Sequence, residues 1–441
     1  MSAIARSFRH GVHPLEHKRQ TAHLPLERMP FVERYLLPLS QHTGAPCRPV
    51  VEVAQRVGRG EMVAAPGGFV SMTLHSPVTG RVVAIAPRRH PNGQMTESIE
   101  IEADAFSTQQ LTRAPTDWRA LTLDEFIEQV QQAGLVGLGG AAFPTHVKYK
   151  LPEGRRCRRL VVNGCECEPY LTCDHRTMVQ RPEAVVGGIE IVATILGAEE
   201  SVLGVEINKP EAIDALRRVI PDGLNLRIVP LKVKYPQGAE KMLIRALFGE
   251  EVPAGKLPID LDTVVNNVGS MAALADWFQD GQPLIERAVT VAGPGIERPS
   301  NLVVPIGTPV RDVLRHCGLD HDTRQVVMGG PMMGMPLASL DVPVLKGTSG
   351  ILAFTEEVVN HPTEYGCLRC GRCLEACSNF LNPARLARLA HAGRWEELEK
   401  SYVMDCMECG ACTWACPSGV PVVHLIRAAK AAIRERKAKG G

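Results

Sequence analysis

Eight of the fourteen cysteines fall in two runs, Cys367-x-x-Cys370-x-x-Cys373-x-x-x-Cys377 and Cys406-x-x-Cys409-x-x-Cys412-x-x-x-Cys416-Pro417. Gaps of two residues let three thiolates of one loop converge on a [4Fe–4S] cubane, and in paired runs the fourth cysteine serves the other cluster. The spacing therefore predicts one cluster on Cys367, Cys370, Cys373 and Cys416 and a second on Cys406, Cys409, Cys412 and Cys377. Structural zinc is the plainer use of such thiols, yet zinc sites pair two Cys-x-x-Cys knuckles and need no third and fourth cysteine at these offsets. Gly371 and Gly410 follow the second cysteine of each run, where a tight turn favours a residue without a β-carbon. Two clusters so close together imply one-electron traffic.

A second chemical stretch is Gly134-Leu-Val-Gly137-Leu-Gly139-Gly140-Ala-Ala-Phe143-Pro144-Thr-His146-Val-Lys148. Its glycines leave backbone amides open to a phosphate, and a helix starting after Pro144 adds free amides of its own. Alone, such a loop is equally a set of turns. Downstream, Leu160-Val-Val-Asn163 places a short apolar strand before Gly164-Cys165-Glu166-Cys167-Glu168-Pro169. Strand ends of this kind line ligand crevices in α/β sheets. In extended chain Glu166 and Glu168 would face the same side.

The elements that must hold these residues follow from periodicity. Val50, Val51 and Val53, Met62 and Val63, Val70, and His75 to Ile85 read as strands of a β module. It resembles the flattened sandwich of biotinyl and lipoyl carriers, but no lysine occurs between Lys18 and Lys148, so covalent carriage is excluded and an interface role remains. Thr122 to Ala133 has helical spacing with Leu123, Phe126, Ile127 and Val130 on one face. Helices from Glu183 and Glu211 alternate with strands at Leu160 and Val202, the order of a parallel α/β sheet. Val289 to Gly293, Leu302 to Pro305 and a helix from Val310 to His316 form a smaller unit, and Val420 to Ile433 is an amphipathic helix before a basic tail.

With 441 residues the chain has room for about three domains. A net charge of +1 lacks the basic excess of a nucleic-acid binder. The remaining cysteines show no disulfide spacing, and iron–sulfur assembly points to a reducing compartment. No signal-peptide core and no apolar run of about eighteen residues is present, so membrane attachment is expected to be peripheral.

Gly139 to Thr145, Asn163 with Cys-Glu-Cys-Glu-Pro169, Tyr235-Pro-Gln-Gly238-Ala-Glu240-Lys241 and Asn266-Asn267-Val-Gly269 occur in the order seen in the flavin-bearing subunit of respiratory complex I. Phe8-Arg-His-Gly-Val-His-Pro14, Leu39 to Pro46, His75 to Gly80, Gly329-Gly-Pro-Met-Met-Gly334 and the double cysteine runs make the chain resemble the C subunit of the Rnf complex, an ion-translocating NADH:ferredoxin oxidoreductase of bacterial membranes. The resemblance covers essentially the whole chain.

It implies a multidomain α/β plus β fold: an extended arm (1–30), a barrel-sandwich hybrid (31–115), a complex I-type FMN/NADH-binding domain (116–280), a β-grasp domain of the SLBB kind (281–345) and a helical bis-[4Fe–4S] domain with a basic tail (346–441). It implies that non-covalent FMN is held by Gly137, Gly139, Gly140, Lys148, Asn163, Glu166, Tyr235, Gly238, Glu240, Lys241, Asn266 and Asn267, with Phe143 and Glu168 toward NADH. Leu138, His146 and Cys165 depart from the arginine, glycine and aspartate of complex I. Expected partners are the other Rnf subunits, a ferredoxin-like cluster subunit among them, with ferredoxin or flavodoxin as indirect acceptor. The expected location is the cytoplasmic face of the inner membrane. A cobalamin reductase of bacterial microcompartments and a flavin-free cluster relay are the alternatives. Gly329 to Gly334 is expected to dock the flavin domain against the cluster domain.

Overall fold

The computed structural model describes residues 5–359 and 363–439. Its centre is a four-stranded parallel sheet in the order Leu226–Leu231, Glu200–Glu206, Arg159–Gly164, Thr263–Asn267. Val161 and Val162, Val202 and Leu203, and Val264 and Val265 are buried, because helices cover both faces. Chain order runs from Arg159–Gly164 out to one side and returns on the other, so the direction of winding reverses between Arg159–Gly164 and Thr263–Asn267. Their carboxyl ends bound the crevice where such sheets take ligands.

The helix Leu123–Gln132 begins where expected, with Thr122 and Glu125 forming a reciprocal capping box. Phe126, Ile127 and Val130 are buried, whereas Leu123 is exposed. Pro182–Leu196 and Val268–Asp280 cross closely at Gly188, where an added Cβ would stand 2.0 Å from Met271 O. One helix has no counterpart among the sequence expectations: Cys173–Gln180 buries Cys173, His175, Thr177 and Met178, a face without apolar periodicity.

The barrel-sandwich module consists of a sheet ordered Arg34–Pro38, Met95–Ala103, Gly80–Arg89, Arg56–Val57, faced by Arg48–Pro49, Met62–Ala65 and Leu74–His75. Met95–Ala103 is its second-longest strand and is not among the expected ones. A six-stranded mixed sheet carries the β-grasp unit. Its edge is Leu26–Arg28, paired in parallel with Ser300–Pro305, so the arm ends as a strand of a distant domain. At that seam buried Glu286 accepts from Arg28 at 2.6 and 2.9 Å and from Arg59 at 2.6 Å, joining arm, sandwich and β-grasp.

The cluster module packs Leu386, Leu398, Val403, Val422, Val423, Ile426 and Ile433 into its own core, with the helix Val422–Lys439 supplying the last four. No helix among the described residues is long and apolar enough to cross a membrane.

Candidate redox centre

The two cysteine runs repeat their backbone as well as their spacing. Positive φ occurs at Arg369 and Glu408, at Gly371 and Gly410, and at Phe380 and Gly419, the same three offsets in each run. Each glycine opens a short helix, Arg372–Ala376 or Ala411–Trp414. The two runs are thus wound alike.

Cys377 lines one apolar pocket together with Cys406, Cys409 and Cys412, although it lies in the other run. Burial pushes the Cys412 thiol up to about 12, and the nearby charges of Cys406, Cys409 and Cys377 push it further in the same direction. Cys373 is likewise raised by burial and then by Cys367 and Cys370. Cys367 and Cys370 are exposed, whereas Cys412 is buried.

Thiols crowded in this way ionise only against a cation, and the donor set fits an iron–sulfur body better than one ion. Among the described residues the one group of three potential ligands within 4.8 Å is Glu166, Cys173 and Asp174, so no three of the eight cysteines converge that closely. Sulfurs around a single zinc at about 2.3 Å would stand at most about 4.6 Å apart.

At the sheet, Gly139 faces the end of Thr263–Asn267: a Cβ there would lie 3.7 Å from the Asn267 side chain and fill the gap. Gly139 and Gly140 are exposed, and Gly140 has φ +115. Lys148 Nζ donates to Val265 O at 2.9 Å, which brings it onto the same strand. Asn163 Nδ2 donates to Gly238 O at 2.8 Å, so these two residues also meet at the strand ends. Asn266 is buried and its Nδ2 has no partner. Open backbone, an unpartnered buried amide and a gap kept free of side chains fit a phosphorylated flavin. Phe143 is tied to this loop through Gly137 N, which donates to its carbonyl at 2.8 Å.

Other expected residues point elsewhere. The strand ends at Gly164, so alternation does not continue to Glu166 and Glu168, and their carboxylates diverge. Glu166 accepts from Asp174 N at 3.0 Å and His175 N at 3.2 Å, capping the unforeseen helix. Asp174 in turn accepts from Asn267 Nδ2 at 2.7 Å, which links Glu166 to the crevice through a residue that no sequence motif singles out. Burial, reinforced by the Glu166 charge, drives Asp174 upward.

Glu168 instead accepts from Met332 N at 3.0 Å and Met333 N at 2.9 Å, inside the Gly329–Gly334 turn. A Cβ on Gly410 would stand 2.7 Å from Met332 O, so the same turn touches both the flavin domain and the cluster module. Glu240 and Lys241 open the helix Glu240–Phe248 after Gly238, with Lys241 Nζ 3.4 Å from Pro253 O. Tyr235 is buried and its Oη donates to Cys409 O at 2.6 Å. Val12, Tyr235, Ala376 and Ala411 form a small apolar core at this junction.

A flavin-type crevice joined by a buried tyrosine to a paired-cluster module defines a class of multi-cofactor electron-transfer proteins. Four family models match in the corresponding places: the RnfC barrel sandwich hybrid domain over 6–106, the Nuo51 FMN-binding domain over 130–276, the SLBB domain over 288–336 and the 4Fe-4S dicluster domain over 365–420. The chain belongs to the family of C subunits of ion-translocating ferredoxin:NAD(+) oxidoreductase complexes, as its relatives make plain. It is 42% identical to the C subunit of the Na(+)-translocating complex of Acetobacterium woodii, covering 98% of both chains. It is 41% identical to that of the proton-translocating complex of Clostridium ljungdahlii, over 90% of this chain and 88% of the other. The C subunit of the ion-translocating oxidoreductase complex of Pseudomonas aeruginosa is 43% identical over 97% of this chain, which spans 55% of that longer protein. An NAD+-reducing [NiFe]-hydrogenase shares the fold with TM-score 0.50 at 21% identity, over 71% of this chain and 62% of that one.

Proposed function

We propose that this chain is the NADH-side subunit of an ion-translocating ferredoxin:NAD(+) oxidoreductase complex, exchanging electrons between NAD(H) and a cluster-bearing partner in either direction. The observation that carries this reading is the hydrogen bond from Tyr235 Oη to Cys409 O, at 2.6 Å, which joins the flavin domain to one cysteine quartet.

In this reading the glycines of the 137–140 loop, Lys148, Asn163, Asn266 and Asn267 hold FMN, Glu166 acts through Asp174 and Asn267, and Phe143 flanks the nucleotide. Bound FMN supplies the conversion of a two-electron hydride into single electrons, which a cubane accepts one at a time. The packing of Val12, Tyr235, Ala376 and Ala411 excludes water between crevice and quartet. Cys377, Cys406, Cys409 and Cys412 form the inner cluster site, and Cys367, Cys370, Cys373 and Cys416 the outer one. Tyr365, 64% exposed, and Leu368, 70% exposed, flank the outer site, where a partner would receive electrons. Association with the other members of the complex would hold the chain peripherally at the cytoplasmic face of the inner membrane.

Anaerobic titration of the cluster-loaded chain with NADH tests this. Flavin bleaching together with two reduced-cluster signals is expected. A cluster-loaded chain that retains no flavin and stays oxidised would leave it a simple relay.

A further inference from the structure

In the segment Phe8-Arg9-His10-Gly11-Val12-His13-Pro14, His13 and Pro14 line a cavity with Glu166 and Tyr235, while Phe8, His10, Gly11 and Val12 are committed to the junction with the cluster module. Val12 and Tyr235 exchange backbone hydrogen bonds at 2.8 and 2.9 Å. Gly11, at φ +86, permits the approach, since a Cβ there would lie 2.6 Å from Tyr235 O. Phe8 is buried under Lys234, whose Nζ lies 4.8 Å from its ring centroid and donates to Phe8 O at 3.0 Å. His10 stands against Phe380, ring centroids 4.5 Å apart, and its Nδ1 lies 3.2 Å from Cys377 O. A carbonyl oxygen only accepts, so Nδ1 carries the proton.

That contact is one of three. Cys377 O faces His10 Nδ1, Cys409 O accepts from Tyr235 Oη at 2.6 Å, and Cys406 O accepts from Lys430 Nζ at 2.7 Å. The donors come from the arm, the flavin domain and the helix Val422–Lys439, and they converge on a single quartet. Among the described residues no side-chain donor reaches the carbonyl of Cys367, Cys370, Cys373 or Cys416. Adding an electron to a buried thiolate-held cluster puts more negative charge into a poorly solvated place, which lowers its potential. Net charge, hydrogen bonds at the sulfurs and solvent exposure move that potential, and a dipole or charge held at a ligand's carbonyl acts on the same local field.

We propose that His10, Tyr235 and Lys430 are positioning residues that hold up the reduction potential of the inner cluster by donating to the carbonyls of its cysteines, with Phe8–Pro14 as the clamp that fixes two of them. Each donor turns the positive end of a dipole toward the quartet and so favours the reduced state, offsetting burial. The outer site, with Cys367 and Cys370 exposed, has no such donors among the described residues. The inference rests on reading Cys377 with Cys406, Cys409 and Cys412 as one site.

The test is an anaerobic redox titration of the full cluster-loaded chain, followed by electron paramagnetic resonance at fixed pH, with iron assayed in every sample. His10→Ala, Tyr235→Phe and Lys430→Met should each make the same one of the two midpoints more negative. The expected change is about threefold in the reduced-to-oxidised ratio at a given potential, or about 30 mV for one electron. The other signal should stay in place and iron should remain full. His10→Asn, which keeps a side-chain N–H at similar reach, should restore the midpoint.

Midpoints unchanged at full iron, a positive shift, or different signals moved by the three variants would overturn the proposal. Loss of iron in place of a shift would also overturn it, since the contacts would then serve retention only. Cys377→Ser separates the two readings: it should alter the signal that His10→Ala moves. If it alters the other one, the quartet assignment fails and the proposal with it.

Discussion

Lys18 carries its ammonium into the interior and directs it at no carboxylate. It donates to Glu166 O at 2.8 Å, to Glu168 O at 2.9 Å and to Leu171 O, and so fixes the backbone after the central strand. Burial pulls its pKa down, and Glu166 opposes that. Glu168 shows the reverse effect: burial pushes its carboxyl up to about 7, against the two N–H groups of Met332 and Met333. Between its ordinary value of 4.5 and about 7 the folded chain keeps a proton that the unfolded chain has lost. Its contribution is therefore most favourable at low pH and declines as pH rises through that window. Glu168→Gln should gain thermal stability relative to the parent from about pH 5 to pH 8. Parallel melting curves at every pH would contradict it. The cysteine sites are legible in the sequence because three ligands of each fall within one short run and the paired runs supply the fourth. The partner of Glu168 is not, since Met332 and Met333 lie 164 and 165 residues away.

At the scale of elements, the parallel sheet can be read because its strands are apolar runs between helical patterns. Met95–Ala103 cannot be, because Glu97, Glu100 and Glu102 break up its apolar character and only Ser98, Ile99 and Ile101 are fully buried. Cys173–Gln180 is hidden for another reason: its first turn is capped by Glu166, several residues upstream, and Thr172 makes no side-chain cap. The crossing at Gly188 is a positional demand that sequence alone leaves open. Gly188→Ala would drive a methyl into Met271 O and separate two long helices, costing about 1–3 kcal/mol as overpacking does. A denaturant midpoint equal to that of the parent would refute this.

The molecule as a whole combines a large, well-packed α/β core with a small cluster module whose core is a handful of aliphatic side chains. Eight thiols gathered on so small a core make metal binding and folding coupled there. Removing iron with a chelator should abolish amide protection across 365–420 while leaving it in the strands at 159–164, 200–206 and 263–267. Uniform loss or uniform retention would show the two parts to be a single cooperative unit.

Arg6 and Val12 bond to residues 230–235, His10 meets Cys377, and Leu26–Arg28 pairs beside Ser300–Pro305. The arm thus waits for neighbours that are translated hundreds of residues after it, most of them ahead of the two cysteine runs. The cysteine loops therefore emerge beside an arm whose other partners are already made, and His10 can meet Cys377 as soon as that residue appears.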